Sequence, residues 1–184
     1  MKIIAGKLKG KKIMTLEGLS TRPTLNRIKE NIFNIMTNYC CFEDKIVVDL
    51  FAGSGNLIFE SLSRGAKFAF ANDINKAACD IISQNCFACN LQKQVKLSNF
   101  DYQVFSKTLT KPCDIVFIDP PFANIICQQW IIDFFYKNNL LNNNALIILE
   151  TNVPLEDLQL NFHFKVVSNK KYGKIYIKII QFDE

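Results

Sequence analysis

From residue 46 onward, short apolar segments alternate with helical stretches, and this alternation restricts the fold more than any other feature of the chain. Continuous apolar runs such as 115–118 are typical of strands in a parallel sheet that is covered on both faces. The pattern predicts an α/β fold with helices on both faces of a mostly parallel, seven-stranded sheet. We expect strands at 46–51, 68–71, 94–97, 114–118, 145–150, 162–167 and 174–181, and helices at 56–64, 75–91 and 124–138.

Two segments near the C-terminus depart from this pattern. In the last predicted strand, Ile175, Ile177 and Ile179 alternate with Tyr176 and Lys178. Such alternation indicates a less buried strand near an edge of the sheet, and we expect it to be antiparallel. The run 142–144 consists of three asparagines, which predicts a short polar turn.

The first 45 residues carry all of the excess charge. They hold nine Lys/Arg and four Asp/Glu, a sum of +5, whereas residues 46–184 hold thirteen of each and sum to zero. Residues 3–13 have apolar ends with glycines and lysines between them, which predicts a short β-ribbon with a basic tip. Leu25, Ile28, Ile32 and Ile35 then recur at helical spacing. We predict two units, a basic ribbon and helix at 1–45 and an α/β domain at 46–184. A basic block of this kind binds polyanions or is simply a solvated surface.

Several classes of protein are disfavoured. No apolar run approaches the ~18 residues of a membrane span, and no signal-peptide pattern is present. We therefore expect a cytoplasmic protein whose seven cysteines are thiols. Cys86 and Cys89 have the spacing of a metal pair, but without a second pair we interpret them as packing residues. His163 is the only histidine, so neither a metal site nor a Ser-His-Asp triad is predicted.

A glycine turn follows the first predicted strand of the α/β domain. Gly53 and Gly55 come directly after that strand and before a helix, where open α/β sheets bind nucleotides. Ile58 stands where a dinucleotide fingerprint requires a small residue, which disfavours NAD. Asp49 would repel a pyrophosphate and attract a cationic amino acid. Asp73, at the end of the second strand, is placed to accept the hydroxyls of a ribose, although it could also be a helix cap.

The fourth predicted strand ends in Asp119-Pro120-Pro121-Phe122. Two prolines cannot lie inside a sheet, so they fix a stiff turn at its carboxyl end. The Asp119 carboxylate and the Pro120 carbonyl can accept both N–H bonds of a planar amine, which favours its attacking form, and Phe122 can stack on a base. This turn predicts catalysis on an exocyclic amine without a metal.

Together these motifs resemble the class I S-adenosylmethionine (SAM) methyltransferases over residues 46–150, which implies a Rossmann-like fold. Further motifs lie at 4–6, Arg22-Pro23-Thr24, Arg27-x-x-Glu30-x-x-Phe33-Asn34 and Tyr172-Gly173, in addition to 49–55 and 119–122. Over nearly the whole chain, these motifs resemble the RsmD family, bacterial enzymes that methylate guanine N2 in 16S ribosomal RNA. The family resemblance implies SAM as cofactor and ribosomal RNA as partner, within an assembling or assembled small subunit. We expect a monomer.

The resemblance also implies roles for individual residues. Those expected to shape the methionine side of the SAM pocket are Asp49, Phe51, Gly53 and Gly55. Asp73 is expected at the ribose, and either Asn99 or Asp101 at the adenine. The base-handling residues would be Asp119, Pro120, Pro121 and Phe122. The charge asymmetry, more than the resemblance, predicts the RNA contacts. We expect the ribbon to lie beside the crevice at the carboxyl end of the sheet, and the residues expected to contact RNA are Lys7, Lys9, Lys11, Lys12, Arg22 and Arg27.

Three other functions remain open on the sequence alone. The same acceptor geometry suits a DNA adenine-N6 methyltransferase or a protein-glutamine methyltransferase. A chain of 184 residues leaves no separate DNA-recognition domain, which counts against the first. A non-catalytic RNA-binding module is disfavoured by the complete 119–122 turn.

Overall fold

The computed structural model describes residues 1–16, 23–121 and 125–184, with the backbone alone at 23–25. The described residues form a seven-stranded sheet with strand order β3-β2-β1-β4-β5-β7-β6. The strands are β1 (Ile46–Asp49), β2 (Phe68–Asn72), β3 (Val95–Ser98), β4 (Cys113–Ile118), β5 (Leu141–Thr151), β6 (Phe164–Tyr172) and β7 (Ile175–Phe182). The helices are α1 (Pro23–Met36), α2 (Asn56–Ser63), α3 (Lys76–Cys89), α4 (Tyr102–Ser106) and α5 (Ile125–Lys137).

The direction of the strands confirms the predicted fold class. Strands β1 to β5 run parallel, whereas β7 pairs antiparallel with both β5 and β6. The carboxyl ends of the five parallel strands therefore meet at one edge of the sheet, the carboxyl edge, and their beginnings meet at the opposite amino edge. Ligands of open α/β sheets bind at the carboxyl edge.

Both faces of the sheet are covered, as the apolar strands predict. Side chains alternate between the two faces along each strand. Val47 and Phe117 pack on a first face beneath α1, α2 and α3, and Val48 and Val116 pack on a second face beneath α4 and α5. None of the described helices is long and apolar enough to cross a membrane.

The front of the chain packs into the same core as the sheet. Lys2 and Lys12 form an antiparallel bridge, so the ribbon predicted at 3–13 extends over residues 1–13. Ile3 and Ile13 from the ribbon and Phe33 from α1 are buried with the residues of the first face. Because they share one apolar core, the ribbon and α1 are held against α2 and the sheet rather than projecting from them.

The burial of β7 corrects one expectation. This strand is antiparallel and next to the edge strand β6, as predicted, but residues 177–180 at its centre are buried. Lys178 is buried in β7 and its ammonium group donates to the carbonyl of Leu155. A lysine whose head group finds an acceptor can lie in a covered strand, which is why the polar alternation did not indicate exposure.

The three asparagines at 142–144 do not form a separate turn. They lie within β5, where the pairing with β4 shifts register between Cys113 and Ile115. Asn144 has a φ of 64°, a left-handed conformation that asparagine tolerates better than most residues. The sequence signal for a turn therefore marks an irregularity inside a strand.

Candidate active site

The predicted acids converge on one crevice at the carboxyl edge. Asp49, Asp73 and Asp119 follow or end β1, β2 and β4, and all three border cavities there. The main cavity has a volume of about 700 Å³, and Asp73 and Asp119 lie on its walls. A side cavity of about 230 Å³ adjoins it on the first face of the sheet, where Asp49 and Asp119 form part of the wall. The main cavity is large enough for a nucleoside cofactor.

The glycine turn contributes Gly53 to the floor of both cavities. Gly53 has a φ of 54° and Gly55 a φ of 79°, conformations that side chains rarely adopt. A Cβ added at Gly53 would meet no described atom within 4 Å, because this residue borders open space. A Cβ at Gly55 would lie 2.5 Å from the ring of Phe59. The missing side chain at Gly53 therefore leaves the cavity floor open. The missing side chain at Gly55 lets the ring of Phe59 pack against the start of α2.

The Asp73 carboxylate ties the glycine turn to the end of β2. The amide N–H of Gly53 donates to Asp73 Oδ2 and that of Asn75 donates to Oδ1, both at 2.8 Å. A carboxylate has about four lone-pair sites, so each oxygen can accept a further bond. Asp73 can thus hold the turn and still bind ribose hydroxyls, a dual role that the sequence did not indicate.

The two candidates for the adenine contact have different surroundings. The Asn99 amide donates to the carbonyls of Asp73 (2.7 Å) and Ile74 (3.0 Å), so it braces the turn after β2. Asp101 borders the main cavity and also caps α4 by accepting the N–H of Gln103 at 2.8 Å. Of the two, the geometry favours Asp101.

Two exposed apolar side chains flank the same end of the main cavity. Ile74 is 68% exposed and Phe100 is 48% exposed, and both line the cavity wall. The buried Asn72 amide fixes this wall, because it donates to the carbonyls of Leu50 and Phe100 and accepts the N–H of Phe100. Apolar walls with few polar groups suit a purine ring.

Asp49 borders the side cavity and has little access to solvent. It is 2% exposed, and its side chain accepts only the N–H of Phe51 at 3.2 Å among the described contacts. Burial raises the pKa of Asp49 to about 7; the Phe51 bond opposes this rise, and repulsion by Asp73 and Glu150 adds to it. A cation that binds beside a carboxylate in such surroundings stabilises its ionised form.

Glu150, which the sequence analysis missed, lies next to Asp119. Ile118 of β4 pairs with Leu149 of β5, so the residues that follow, Asp119 and Glu150, are neighbours at the carboxyl edge. Both line the side cavity and a further recess of about 160 Å³ beside Pro120. The only sequence signal was an acid at the end of a predicted strand, the same signal that singled out Asp49.

Desolvation, with repulsion between neighbouring acids at Asp49 and Asp119, raises the pKa values of the crevice acids. Burial raises the pKa of Glu150 to about 7. The pKa of Asp119 is well above its usual range because its surroundings in the crevice desolvate it, and because Glu150 and Asp49 repel its charge. The residue is nevertheless open to solvent along the crevice. Within the described residues, no ion pair involves Asp49, Asp119 or Glu150.

A cation does border the side cavity, but its bonds are directed elsewhere. Lys29 of α1 donates to the carbonyl of Lys2 at 2.8 Å and to Asn56 at 2.9 Å, and it pairs with Glu60 at 3.1 Å. The acids of the crevice therefore have no cationic partner among the described side chains, and each contributes uncompensated negative charge when it is ionised. This charge fits the cationic sulfonium and amino groups of SAM.

The other predicted residues are placed as follows. Phe51, Pro120 and Pro121 line the main cavity. Arg27 is exposed on α1. Phe122 and Arg22 lie outside the described residues. In the part of the chain that the structure describes, no cluster of three ligands could hold a metal, and Cys86 and Cys89 are buried in the core of the first face.

The basic tip of the ribbon points away from the crevice. The amide of Lys7 donates to the carbonyl of Ser63 at the end of α2 (2.8 Å), and its ammonium lies 3.4 Å from Gln94, which precedes β3. Lys9 belongs to the same tight turn. The tip thus lies at the amino edge of the sheet. Contrary to the expectation, Lys7 does not border the crevice. Lys12, which is bridged to Lys2, is further from the tip.

Comparisons with known proteins agree with this architecture. The model of the family described as "Conserved hypothetical protein 95" matches residues 1–181. The ribosomal RNA small subunit methyltransferase D of Haemophilus influenzae is 34% identical over 82% of this chain and 78% of its own length. The structure of yhhF from Escherichia coli has a TM-score of 0.88 at 28% identity, over 100% of this chain and 98% of that one. A structure complexed with SAH, 16% identical, shares the fold with a TM-score of 0.73 over 95% of this chain and 52% of its own.

Proposed function

The chain belongs to the RsmD family of SAM-dependent methyltransferases, and from this premise we propose that it methylates the exocyclic N2 amine of a guanine in 16S ribosomal RNA. The methyl donor is SAM, which supplies a methyl group on a positively charged sulfur. The observation that carries the choice of guanine is the pair of neighbouring carboxylates, Asp119 and Glu150, beside the Pro120 turn.

The residues around the main cavity fit SAM. Asp73 would accept the ribose hydroxyls, and Asp101 would accept from the adenine amine between the walls formed by Ile74 and Phe100. Asp49 and the low floor at Gly53 would receive the cationic methionine portion. The negative charge of the crevice favours the cationic cofactor over its neutral-sulfur product, which also favours release after transfer.

The 119–121 turn would hold the target amine. The amine of guanine is a weak nucleophile because its lone pair is delocalised into the ring. Acceptance of its two N–H bonds by Asp119 and the Pro120 carbonyl would favour the pyramidal form that attacks. When nitrogen gains the methyl group it must lose a proton. Asp119, whose pKa is raised, can accept that proton.

Glu150 distinguishes guanine from adenine by hydrogen-bond polarity. Guanine carries an N1–H donor next to its N2 amine, whereas adenine presents an N1 lone pair next to its N6 amine. With Asp119 on the amine, an ionised Glu150 on the adjacent strand would accept N1–H of guanine and repel N1 of adenine. A site built for a donor rejects analogues that lack it far more strongly than an apolar pocket could.

The direct test is the product formed on ribosomal RNA. Small-subunit RNA from cells that lack this protein should take up one methyl group from labelled SAM, and mass spectrometry should identify N2-methylguanosine. Formation of N6-methyladenosine would overturn the choice of guanine. Transfer to protein alone would overturn the choice of RNA.

The role of Glu150 has a sharper test. In a synthetic RNA that the wild type methylates, the target guanine is replaced by 2-aminopurine, which keeps the N2 amine but has no N1–H. We expect the wild type to prefer guanine by about 10- to 150-fold, the value of one charge-assisted hydrogen bond of about 1.5–3 kcal/mol. Glu150→Gln should lose most of this preference. An unchanged preference would remove Glu150 from the base site.

A further inference from the structure

The C-terminal hairpin, residues 164–182, is a second basic region that the charge count conceals. Residues 158–182 contain five lysines and no Asp or Glu. Over 46–184 the two signs cancel, so the excess does not appear in a sum. Three of these lysines lie at the turn end of the hairpin and are exposed: Lys170, Lys171 and Lys174. We refer to them as the crevice-end lysines.

The turn of this hairpin lies at the carboxyl edge, beside the proposed base site. Ile177 of β7 pairs with Glu150 on one side and with Lys170 on the other. The three residues therefore form one row across adjacent strands, and two strand spacings place Lys170 about 10 Å from Glu150 along the sheet. Ile175, the first residue after the turn, lines the same recess as Asp119 and Glu150.

The crevice-end lysines spread over both faces of the sheet end. Lys170 alternates with Lys171 along β6, so their side chains leave opposite faces. The Lys171 ammonium lies 4.8 Å from the centre of the Tyr176 ring, a cation–π contact that holds it near the sheet. Lys174 lies in the turn. Within the described residues, none of the ion pairs involves these three ammonium groups.

Lysines on an edge strand have an ordinary explanation, because they prevent edge-to-edge association of sheets. The strand itself provides a comparison. Lys165 is also exposed on β6, but it lies at the other end of the strand. It pairs with Gln181, and Gln181 pairs with Leu146 near the start of the parallel pairing of β5, so Lys165 is toward the amino edge. Edge protection predicts similar roles for both ends of β6, whereas a role tied to the crevice concerns only the turn end.

We propose that the crevice-end lysines bind the phosphates of the RNA strand on either side of the target nucleotide, while the ribbon tip does not contact that strand. The inference rests on the proposed function, since it requires an RNA substrate. A base must leave its stack to reach Asp119, which costs a few kcal/mol, and contacts to the neighbouring phosphates offset that cost. Lysines beside the recess are placed for this task, and Lys7 at the amino edge is not.

The test compares two triple variants with the same change in charge. Lys170, Lys171 and Lys174 are replaced by glutamine in one, and Lys7, Lys9 and Lys11 in the other. Binding of a small-subunit RNA transcript is measured over a range of salt concentrations. The log-log salt slope of the hairpin variant should be smaller by about 2 units, since each phosphate that a lysine neutralises adds roughly 0.7 to the slope, and its KM for RNA should rise at least about tenfold. The ribbon variant and Lys165→Gln should remain near the wild type.

Calorimetric titration with SAM and thermal melting verify that each variant is folded. An unchanged salt slope in the hairpin variant would overturn the proposal, and so would a larger decrease in the ribbon variant. If KM rose only on assembled subunits and not on the transcript, the hairpin would bind ribosomal protein and the proposal would also be wrong. Failure of the wild type to methylate ribosomal RNA would instead refute the proposed function.

Discussion

Two groups of acids in this molecule have opposite surroundings. Glu60 of α2 is fully buried, and its carboxylate accepts the N–H groups of Ile4 and Ala5 at 2.8 and 3.0 Å and pairs with Lys29 and Arg64 at 3.1 and 3.0 Å. The acids of the crevice, Asp49, Asp119 and Glu150, lack such cationic partners in the described residues. Their pKa values are raised instead.

The difference separates an acid that stabilises the fold from acids that await a ligand. A buried charge with four donors is compensated within the protein, and here it joins the ribbon, α1 and α2. Desolvated acids without cationic partners cost stability, and proteins retain such groups mostly at functional sites. Exposure alone would not have distinguished Glu60 from Asp49; the distinction lies in the donors around them.

The largest expected effect is on stability at Glu60. Glu60→Gln removes the charge that compensates Lys29 and Arg64, and we expect a loss of about 3–5 kcal/mol in the free energy of unfolding, measured by urea denaturation. The exposed Glu43→Gln provides the control and should change stability by less than about 0.5 kcal/mol. Equal losses in the two variants would show that Glu60 is not the anchor of the ribbon.

Much of this arrangement could be predicted from the sequence because it follows from local signals. The buried strands, the glycine turn and the prolines after Asp119 act through the backbone over a few residues, and they were sufficient to place three acids at one edge. Glu60 had no such signal. It lies in an apolar helix segment, and its role depends on Ile4 and Ala5, more than fifty residues away.

The direction of the ribbon and the neighbour of Asp119 depend on tertiary packing. The charge count found the lysines of the ribbon but could not show that Gly6 docks on α2, where a Cβ would lie 1.8 Å from the carbonyl oxygen of Ser63. Nor could it show that the register of β4 and β5 brings Glu150 beside Asp119. Both require the pairing of distant segments, which leaves no local pattern.

For Asp119 we expect the reverse of Glu60, a loss of activity without a loss of stability. Asp119→Ala should lower the rate of methyl transfer at least about a hundredfold, because hydrogen bonds that strengthen as the amine pyramidalises act on the transition state. Single-turnover assays would measure this decrease, while SAM affinity and unfolding should stay near wild type. The control is Asp157→Ala, an exposed acid away from the crevice. Turnover near the parent rate would remove Asp119 from catalysis.

Asp73 shares features with both groups of acids. Like Glu60 it has backbone donors, and like the crevice acids it borders a cavity. Asp73→Ala should weaken SAM binding by about 1.5–3 kcal/mol, the value of a charge-assisted hydrogen bond. Calorimetry would measure it, with Asp80→Ala on the exposed side of α3 as the control. Asp73→Asn keeps one acceptor oxygen but no charge, so recovery in that variant would show that an acceptor, and not the charge, is required. Unchanged affinity in the alanine variant would exclude Asp73 from the site.

The smallest effect concerns the pH dependence that Asp49 gives to SAM binding. Its pKa is about 7 in the folded protein against an ordinary 3.8, so about a tenth of the molecules are ionised there at pH 6 and about nine tenths at pH 8. If the ionised form receives the cation, SAM affinity should rise about tenfold over this range, and Asp49→Asn should remove that rise.

The effect of Asp49 on stability has the opposite sign. Between about pH 4 and 7 the folded protein keeps a proton that the unfolded chain has released, so the stabilising contribution of the neutral Asp49 is lost as pH rises. Urea denaturation without SAM at pH 5 and pH 8 should therefore show a steeper decline for the wild type than for Asp49→Asn. Parallel declines, together with equal pH profiles of binding, would mean that Asp49 is compensated as fully as Glu60.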